Sequence, residues 1–204
     1  MTKNKDIKNE AHKRKMAKLK ESVDTSIMNA NIQRGVGILL TGNGKGKSSS
    51  AFGMVIRSLG YGYKVAIVQF IKGEQPSGEE IYVREKCPNV TIHQMGTGFT
   101  WDTQDRTSDM AAASKSWKVA EKFLKDSSYH LVILDELTYM LNFKYLEEEI
   151  VINALKNRPE NMSVVVTGRG GGKSLKDWAD TVSEVKETKH AFNLGIMARK
   201  GIDY

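Results

Sequence analysis

Short apolar runs alternate along this chain with longer stretches in which apolar residues recur every three or four positions. The short runs predict buried strands, and the periodic stretches predict amphipathic helices. The predicted strands are Val36–Leu40, Val65–Ile71, Val90–Met95, Leu131–Leu134, Ser163–Thr167 and Thr181–Val185. The predicted helices are Lys47–Leu59, Asp105–Lys125, Glu147–Lys156 and a short one near Leu175–Ala179. This alternation indicates an α/β fold, a doubly wound, mostly parallel sheet of about six strands.

Two of these elements predict where the core lies. The strand at Leu131–Leu134 is an unbroken apolar run, which is typical of a strand buried on both faces. In the helix at Asp105–Lys125, five apolar residues lie on one face, and we expect them to be buried. They are Met110, Ala113, Trp117, Ala120 and Leu124.

The first 30 residues differ from the rest. Their apolar residues are sparse and only loosely helical in spacing: Ile7, Ala11, Met16, Leu19 and Val23. A helix of this kind is marginal by itself in water. It is either a solvated tail or an arm that folds on a partner or over a ligand. We therefore divide the chain into a basic arm, 1–30, and an α/β domain, 31–204.

The charge of the chain is concentrated in this arm. The 204 residues carry a net charge of +7, of which residues 1–24 contribute +4. The nearly balanced remainder gives no sign of a binding platform built from interleaved basic and aromatic residues, so nucleic-acid binding is not expected beyond a weak, salt-sensitive contact of the arm. One cysteine, Cys87, excludes an internal disulfide. No apolar run is long enough for a membrane span, so a cytoplasmic protein without membrane contact is expected.

The first chemical signal is the loop Thr41–Ser48, which follows a predicted strand and opens a predicted helix. Its glycines let successive amides face one anion, and its lysine can bridge phosphate oxygens. We expect it to bind nucleotide through Gly42, Asn43, Gly44, Lys45, Gly46, Lys47, Ser48 and Ser49. Thr41 stands where the usual P-loop pattern has glycine.

The second signal is the pair Asp135-Glu136 at the end of the strand Leu131–Leu134. An acidic residue at this edge can hold Mg²⁺ or Mn²⁺ directly or through water, together with the Ser48 hydroxyl. The alternative is that the pair only caps a following helix. The pattern does not decide whether Asp135 or Glu136 contacts the metal. A nucleotide–metal site of this kind suits an ATPase, a kinase or another nucleotide-dependent transferase.

Further strand ends lie at the same edge of the predicted sheet. Gln69–Gly73 follows the second strand, and Gly168-Arg169-Gly170 follows the fifth. Phe99 and Trp101 stand two apart in a loop rich in glycine and threonine, after the third strand. Aromatic side chains at that edge would offer a flat apolar surface to a second, large substrate.

Together, these segments resemble the P-loop type of ATP:corrinoid adenosyltransferase from about residue 31 to the last residue. The segments that carry the resemblance are Thr41–Lys47, Val68–Gly73, Thr97–Trp101, Leu134–Met140, Val166–Gly170, Lys189–Phe192 and Gly201–Tyr204. The threonine at the first P-loop position is shared by that family. The resemblance implies a RecA-like P-loop architecture. It also implies an enzyme that transfers the 5′-deoxyadenosyl group of ATP to the Co(I) of a corrinoid, such as cobalamin, and releases triphosphate.

The resemblance also implies roles for residues. ATP is bound in reversed orientation, so that its C5′ carbon, not the γ-phosphate, faces the corrinoid. Phe99 and Trp101 match aromatics that displace the lower axial ligand of cobalt, and Arg57 and Arg169 match nucleotide-binding positions. Lys47 is the expected catalytic lysine. The implied assembly is a homodimer whose N-terminal helix closes over the neighbouring active site, and an electron-donating flavoprotein is a further expected partner.

Two features depart from the family pattern, and one rival function competes. Ser48-Ser49-Ser50 stands where the family often has a pair of threonines, and the run Gly170–Gly172 is unusually rich in glycine.

The rival function is that of a P-loop ATPase in which Glu136 orients water and the basic arm binds nucleic acid. The product separates the two, because the ATPase releases inorganic phosphate. A protein that only binds nucleotide is disfavoured by the intact Lys47, Ser48 and acidic pair.

Overall fold

The computed structural model describes residues 2–71, 76–95 and 105–204, with the side chains of residues 2–8 excepted. Six strands form one sheet: β1 (Gly37–Thr41), β2 (Val65–Gln69), β3 (Val90–Gln94), β4 (Leu131–Asp135), β5 (Ser163–Thr167) and β6 (Thr181–Glu184). Their order is β3-β2-β4-β5-β1-β6, and every recorded pairing is parallel. The α/β prediction of about six mostly parallel strands is confirmed.

The described helices are α1 (Thr2–Asn29), α2 (Lys47–Gly60), α3 (Gly78–Lys86), α4 (Arg106–Lys125), α5 (Leu137–Asn142), α6 (Glu148–Lys156) and α7 (Gly172–Trp178), with a 3-10 helix at Ala191–Leu194. The predicted boundaries differ from these by a few residues. The prediction that β2 continues to Ile71 is wrong, because the strand ends at Gln69. Helix α3 is not predicted, and α5 is anticipated only in the alternative that Asp135-Glu136 precedes a helix.

Alternate side chains of the strands pack into two separate cores. On one face of the sheet, Leu40, Ile67 and Ile133 pack with α2 and α3. On the other face, Leu39 and Leu134 pack with α4, α5, α6 and α7. All five residues of β4 are buried, as the unbroken apolar run predicts. The sheet is therefore covered on both faces, and its carboxyl edge is left for ligands.

The core face of α4 differs from the prediction at one position. Ala113, Trp117, Ala120 and Leu124 are buried as expected, whereas Met110 is 40% exposed. Met110 lies in the first turns of the helix, soon after the N-cap residue Asp105. Its core assignment is therefore wrong, and the apolar buried face of α4 begins at Ala113.

The chain consists of two compact units, Met1–Gln33 and Arg34–Tyr204. Apart from its last few residues, the first unit is the helix α1, whose described apolar side chains include the exposed Met16, Leu19, Val23 and Ile27. Every buried hydrophobic residue that the structure describes lies between Leu39 and Leu175 in the second unit. None of the described helices is both long enough and apolar enough to cross a bilayer.

Candidate nucleotide and metal site

The loop between β1 and α2 has the conformation that phosphate binding requires. Gly42 and Gly46 adopt φ angles of +100° and +121°, in a region that favours glycine. Gly46 occupies the N-cap position of α2, and Lys47 begins the helix. The positive end of the α2 dipole therefore points into the loop.

Lys47 is held inside this loop. Its ammonium donates to the Gly44 carbonyl at 2.9 Å, and the residue is only 7% exposed. Burial lowers the pKa of Lys47, and the positive charge of Arg169 adds to this, while Glu136 and Asp135 oppose it. The lysine is thus a partly desolvated cation that is influenced by two carboxylates and an arginine.

Asp135 is fixed by hydrogen bonds from three different elements. Its Oδ1 accepts from the Ser48 hydroxyl at 2.8 Å and from the Thr167 hydroxyl at 2.6 Å. Its Oδ2 accepts from the Gln69 amide at 3.1 Å. The structure therefore brings the predicted P-loop serine and the predicted strand-end acid into direct contact, and both oxygens of Asp135 already have protein partners.

Glu136 differs sharply from its neighbour. Its backbone is left-handed, with φ +58°, and its amide donates to the Thr167 hydroxyl at 3.0 Å. Its Oε2 is buried and has no hydrogen-bond partner in the described part of the chain. Burial, and secondarily the negative charge of Asp135, raises the pKa of Glu136 to about 7. Glu136 stands at the N-cap position of α5 but makes no side-chain cap there, so the capping alternative is not supported for it.

Arg169 is positioned through its backbone. Its carbonyl accepts from the Thr138 hydroxyl at 2.9 Å and from the Asn142 amide at 3.0 Å. The Thr41 hydroxyl donates to the carbonyl of the next residue, Gly170. The threonine at the first P-loop position thus ties β1 to the loop after β5, a link that glycine could not make.

A cavity of about 410 Å³ opens beside the P-loop. The predicted residues Asn43, Gly44, Lys45, Lys47 and Arg169 line one part of it. The segment after β6 supplies the rest, through Glu187, His190, Phe192 and Asn193. None of these four was predicted as a site residue. The only available sequence signal was the segment Lys189–Phe192, which contributes to the family resemblance.

The segment after β6 contacts the P-loop at several points, beginning with the Val185 amide, which donates to the Thr41 carbonyl at 2.8 Å. The Gly44 amide donates to the Val185 carbonyl at 2.7 Å, and the Lys45 ammonium pairs with Asp203 at 3.1 Å. A Cβ on Gly42 would lie 2.4 Å from that same carbonyl. Two of the P-loop glycines are therefore needed for the approach of this segment, in addition to any need imposed by phosphate.

The remaining predicted residues lie on α2 or outside the described residues. Ser49 is exposed in the first turn of α2, and Arg57 is exposed in its last turn, ten residues beyond Lys47. Ten helical residues span ~15 Å, so this chain does not bring Arg57 to its own P-loop. Phe99 and Trp101 lie outside the described residues. The nucleotide-binding roles of Ser49 and Arg57 therefore stay predictions, as do the roles of the aromatic pair Phe99 and Trp101.

The donor set at the carboxyl edge consists of oxygens from Ser48, Asp135 and Glu136. Hard divalent cations such as Mg²⁺ prefer such ligands, so the residues present fit the predicted metal. Within the described ranges, no cluster of three or more histidine, cysteine, aspartate or glutamate side chains forms a protein-only metal site. A cation here would need the serine hydroxyl, water or substrate to complete its coordination.

Fold and site together define a P-loop nucleotide-binding α/β protein. The family model for ATP:corrinoid adenosyltransferase BtuR/CobO/CobP matches residues 33–204. The chain belongs to that family, and the resemblance read from the sequence is confirmed.

Curated relatives of known name are similar over nearly the whole chain. The corrinoid adenosyltransferase of Pseudomonas aeruginosa is 49% identical, covering 97% of each chain. That of Escherichia coli strain K12 is 46% identical, over 97% of this chain and 100% of its own. Corrinoid adenosyltransferase CobA of Salmonella typhimurium is 44% identical over the same shares. Among solved structures, the KaiC-like protein PH0186 of Pyrococcus horikoshii aligns with a TM-score of 0.43 and 14% identity, over 78% of this chain and 74% of that one.

Proposed function

We propose that this chain transfers the 5′-deoxyadenosyl group of ATP to the reduced cobalt of a corrinoid and releases triphosphate. Family membership over residues 33–204 makes it an ATP:corrinoid adenosyltransferase. Among this chain's own residues, the observation that supports the assignment is the cavity lined by Lys45, Lys47 and Arg169. Three cations around one P-loop suit a leaving group that bears about four negative charges.

The reaction needs stabilisation of the leaving group more than it needs a base. Co(I) supplies the electron pair for the new Co–C5′ bond, and the C5′–O bond breaks with its electrons going to triphosphate. No proton is removed from the nucleophile, so a general base is not required. Lys47 and Lys45 would stabilise the charge that accumulates on the departing oxygens, and the amides of the P-loop would hold the phosphates in place.

Mg²⁺ would be held by the Ser48 hydroxyl and the Glu136 carboxylate. Glu136 is favoured as the direct ligand because its Oε2 is buried without a partner among the described residues, whereas both oxygens of Asp135 accept hydrogen bonds. Asp135 would then orient the Ser48 hydroxyl from behind. The bound metal would neutralise charge on the triphosphate.

We place the corrinoid next to Phe99 and Trp101, on the strength of the family resemblance. Aromatic side chains that displace the lower axial ligand would leave Co(II) four-coordinate and easier to reduce. Exclusion of water would then protect the Co(I) that forms. In this arrangement the reversed ATP presents C5′ to cobalt while its triphosphate stays in the P-loop.

The assembly that we propose is a cytoplasmic homodimer in which each N-terminal arm closes over the neighbouring active site. The exposed apolar side chains Met16, Leu19, Val23 and Ile27 of α1 support it, because an arm with such a stripe gains stability when a surface covers it. An electron-donating flavoprotein would supply the electron that makes Co(I).

The decisive experiment is anaerobic incubation with ATP, Mg²⁺ and chemically reduced cobalamin. We expect the Co(I) absorption to disappear with formation of adenosylcobalamin and of one triphosphate per cobalt. Inorganic phosphate without an adenosylated product would support the rival ATPase instead. ATP binding without any product would leave only a nucleotide-binding protein, and either result would overturn the proposal.

A further inference from the structure

A chain of side-chain hydrogen bonds crosses the carboxyl edge of the sheet from α3 to β4. Arg84 Nη2 donates to Gln94 Oε1 at 3.1 Å, Gln94 Nε2 donates to Gln69 Oε1 at 2.9 Å, and Gln69 Nε2 donates to Asp135 Oδ2 at 3.1 Å. Gln94, Gln69 and Asp135 are register partners on the neighbouring strands β3, β2 and β4. We call this series the Arg84–Asp135 chain.

The two ends of the Arg84–Asp135 chain fix its direction. A guanidinium can only donate, so the carbonyl oxygen of Gln94 must face Arg84. The amide nitrogen of Gln94 then faces Gln69, and the amide nitrogen of Gln69 faces Asp135. An ionised carboxylate can only accept, so the far end demands the same direction. Both glutamine orientations are thus determined from both sides.

This direction matters for the nucleotide site because it determines which oxygen of Asp135 accepts from Gln69 and which one faces the P-loop. Gln69 engages Oδ2, so that Oδ1 is turned toward the hydroxyls of Ser48 and Thr167. Gln69 is only 3% exposed, and a buried amide that lost its partner would carry a desolvation cost. The orientation of Ser48, in the first turn of the helix at the P-loop, is therefore linked to residues on β2, β3 and α3.

We propose that Gln69 and Gln94 are positioning residues for the metal–nucleotide site. They act through Asp135 on the Ser48 hydroxyl and do not touch substrate themselves. Arg84 anchors the far end, where its Nε also donates to Glu80 at 2.9 Å. The inference rests on the proposed function only in taking the P-loop as a metal–nucleotide site, and it does not depend on the corrinoid.

The test uses a variant that reverses the direction of the hydrogen bond between residues 94 and 69 and removes no side chain. In Gln94→Glu, the introduced carboxylate still accepts from Arg84 but must also accept from Gln69. The Gln69 amide then turns its nitrogen toward that carboxylate and its oxygen toward Asp135. We expect the affinity for ATP with Mn²⁺, measured by equilibrium binding and Mn²⁺ electron paramagnetic resonance in the absence of corrinoid, to fall about tenfold.

Three comparisons make the result specific. Gln69→Leu should lose affinity to a similar degree, and the double variant should bind no worse than Gln69→Leu alone, because both changes break the same bond. Arg84→Lys retains a donor and should stay within about twofold of the wild type. The ratio of wild-type to Gln94→Glu affinity should persist at about 0.5 M salt, where a merely long-range charge effect is screened.

Opposite results would overturn the proposal. One is an affinity of Gln94→Glu for ATP with Mn²⁺ that stays within about twofold of the wild-type affinity. The other is a ratio of wild-type to Gln94→Glu affinity that disappears at high salt. If every variant that lost affinity also showed a melting temperature lowered in proportion to that loss, the residues would have a packing role instead. Wild-type enzyme that binds Mn²⁺ and ATP but makes no adenosylcobalamin would refute the proposed function while leaving this inference standing.

Discussion

Glu136 combines a strained backbone, a buried carboxyl and a pKa raised to about 7 from the ordinary value of 4.5. Without metal, its ionisation opposes folding. As pH rises from about 4.5 to about 7, the unfolded chain releases a proton that the folded chain retains, which costs up to ~3 kcal/mol of stability. We expect Glu136→Gln to raise the melting temperature of the metal-free protein by several degrees at pH 8. At pH 5, where both side chains are neutral in the folded protein, the gain should shrink to less than about 1 kcal/mol, and equal differences at both pH values would contradict this account.

Phe99 and Trp101 allow a second prediction at the residue scale. If they displace the lower ligand of cobalt, Phe99→Ala and Trp101→Ala should strongly impair reduction of bound Co(II) and leave the affinity for ATP nearly unchanged. Spectroscopic titration of Co(II) coordination, alongside ATP binding, measures both. Equal losses in the two assays would refute the proposed role.

At the scale of elements, the P-loop and the segment after β6 depend on each other. A Cβ on Gly44 would lie 2.7 Å from the Lys186 carbonyl oxygen and 2.8 Å from that of Val185, and both are backbone atoms that cannot rotate away. We expect Gly44→Ala to cost about 1–3 kcal/mol in the free energy of unfolding and to weaken ATP binding. Gly53→Ala in the middle of α2 is the matched control, since a Cβ there meets nothing within 4 Å. Urea denaturation should show that Gly53→Ala raises the free energy of unfolding by about 0.5–1 kcal/mol. A similar rise for Gly44→Ala would exclude the proposed contact.

The elements also show what a sequence can reveal. β4 was predictable because each residue from Leu131 to Leu134 is apolar, and the P-loop was predictable because its local pattern alone dictates its shape. Helix α3 was missed although Ser77 accepts from the Glu80 amide, an N-terminal cap that the spacing of serine and glutamate signals. By contrast, no local pattern tells that His190 and Phe192 line the P-loop cavity, because the parallel pairing of β6 with β1 brings that segment there. The link from Thr41 to Gly170 likewise depends on a register between distant strands.

At the scale of the whole molecule, we expect the basic arm to contribute to adenosyl transfer and not to folding. All buried hydrophobic residues described lie from Leu39 onward, so a chain lacking residues 1–33 should keep the melting temperature of the second unit and its ATP affinity. If the arm closes over a neighbouring site and excludes water, its removal should lower the rate of adenosyl transfer at least about tenfold. Full activity of the shortened chain would remove any catalytic role from the arm.

Mixing two impaired chains tests whether the arm acts on its own subunit or on the neighbour. The first lacks residues 1–33 but has an intact P-loop, and the second is full length with Lys47→Met. In a mixed dimer, the arm of the second would cover the intact site of the first. Random pairing of equal amounts should then restore about a quarter of the wild-type rate, because half the dimers carry one complete site. A mixture in which the Lys47→Met chain also lacks its arm is the control and should show no more than the residual activity of the shortened chain. No recovery in the first mixture, with mixed dimers shown to form, would mean that each arm serves its own subunit.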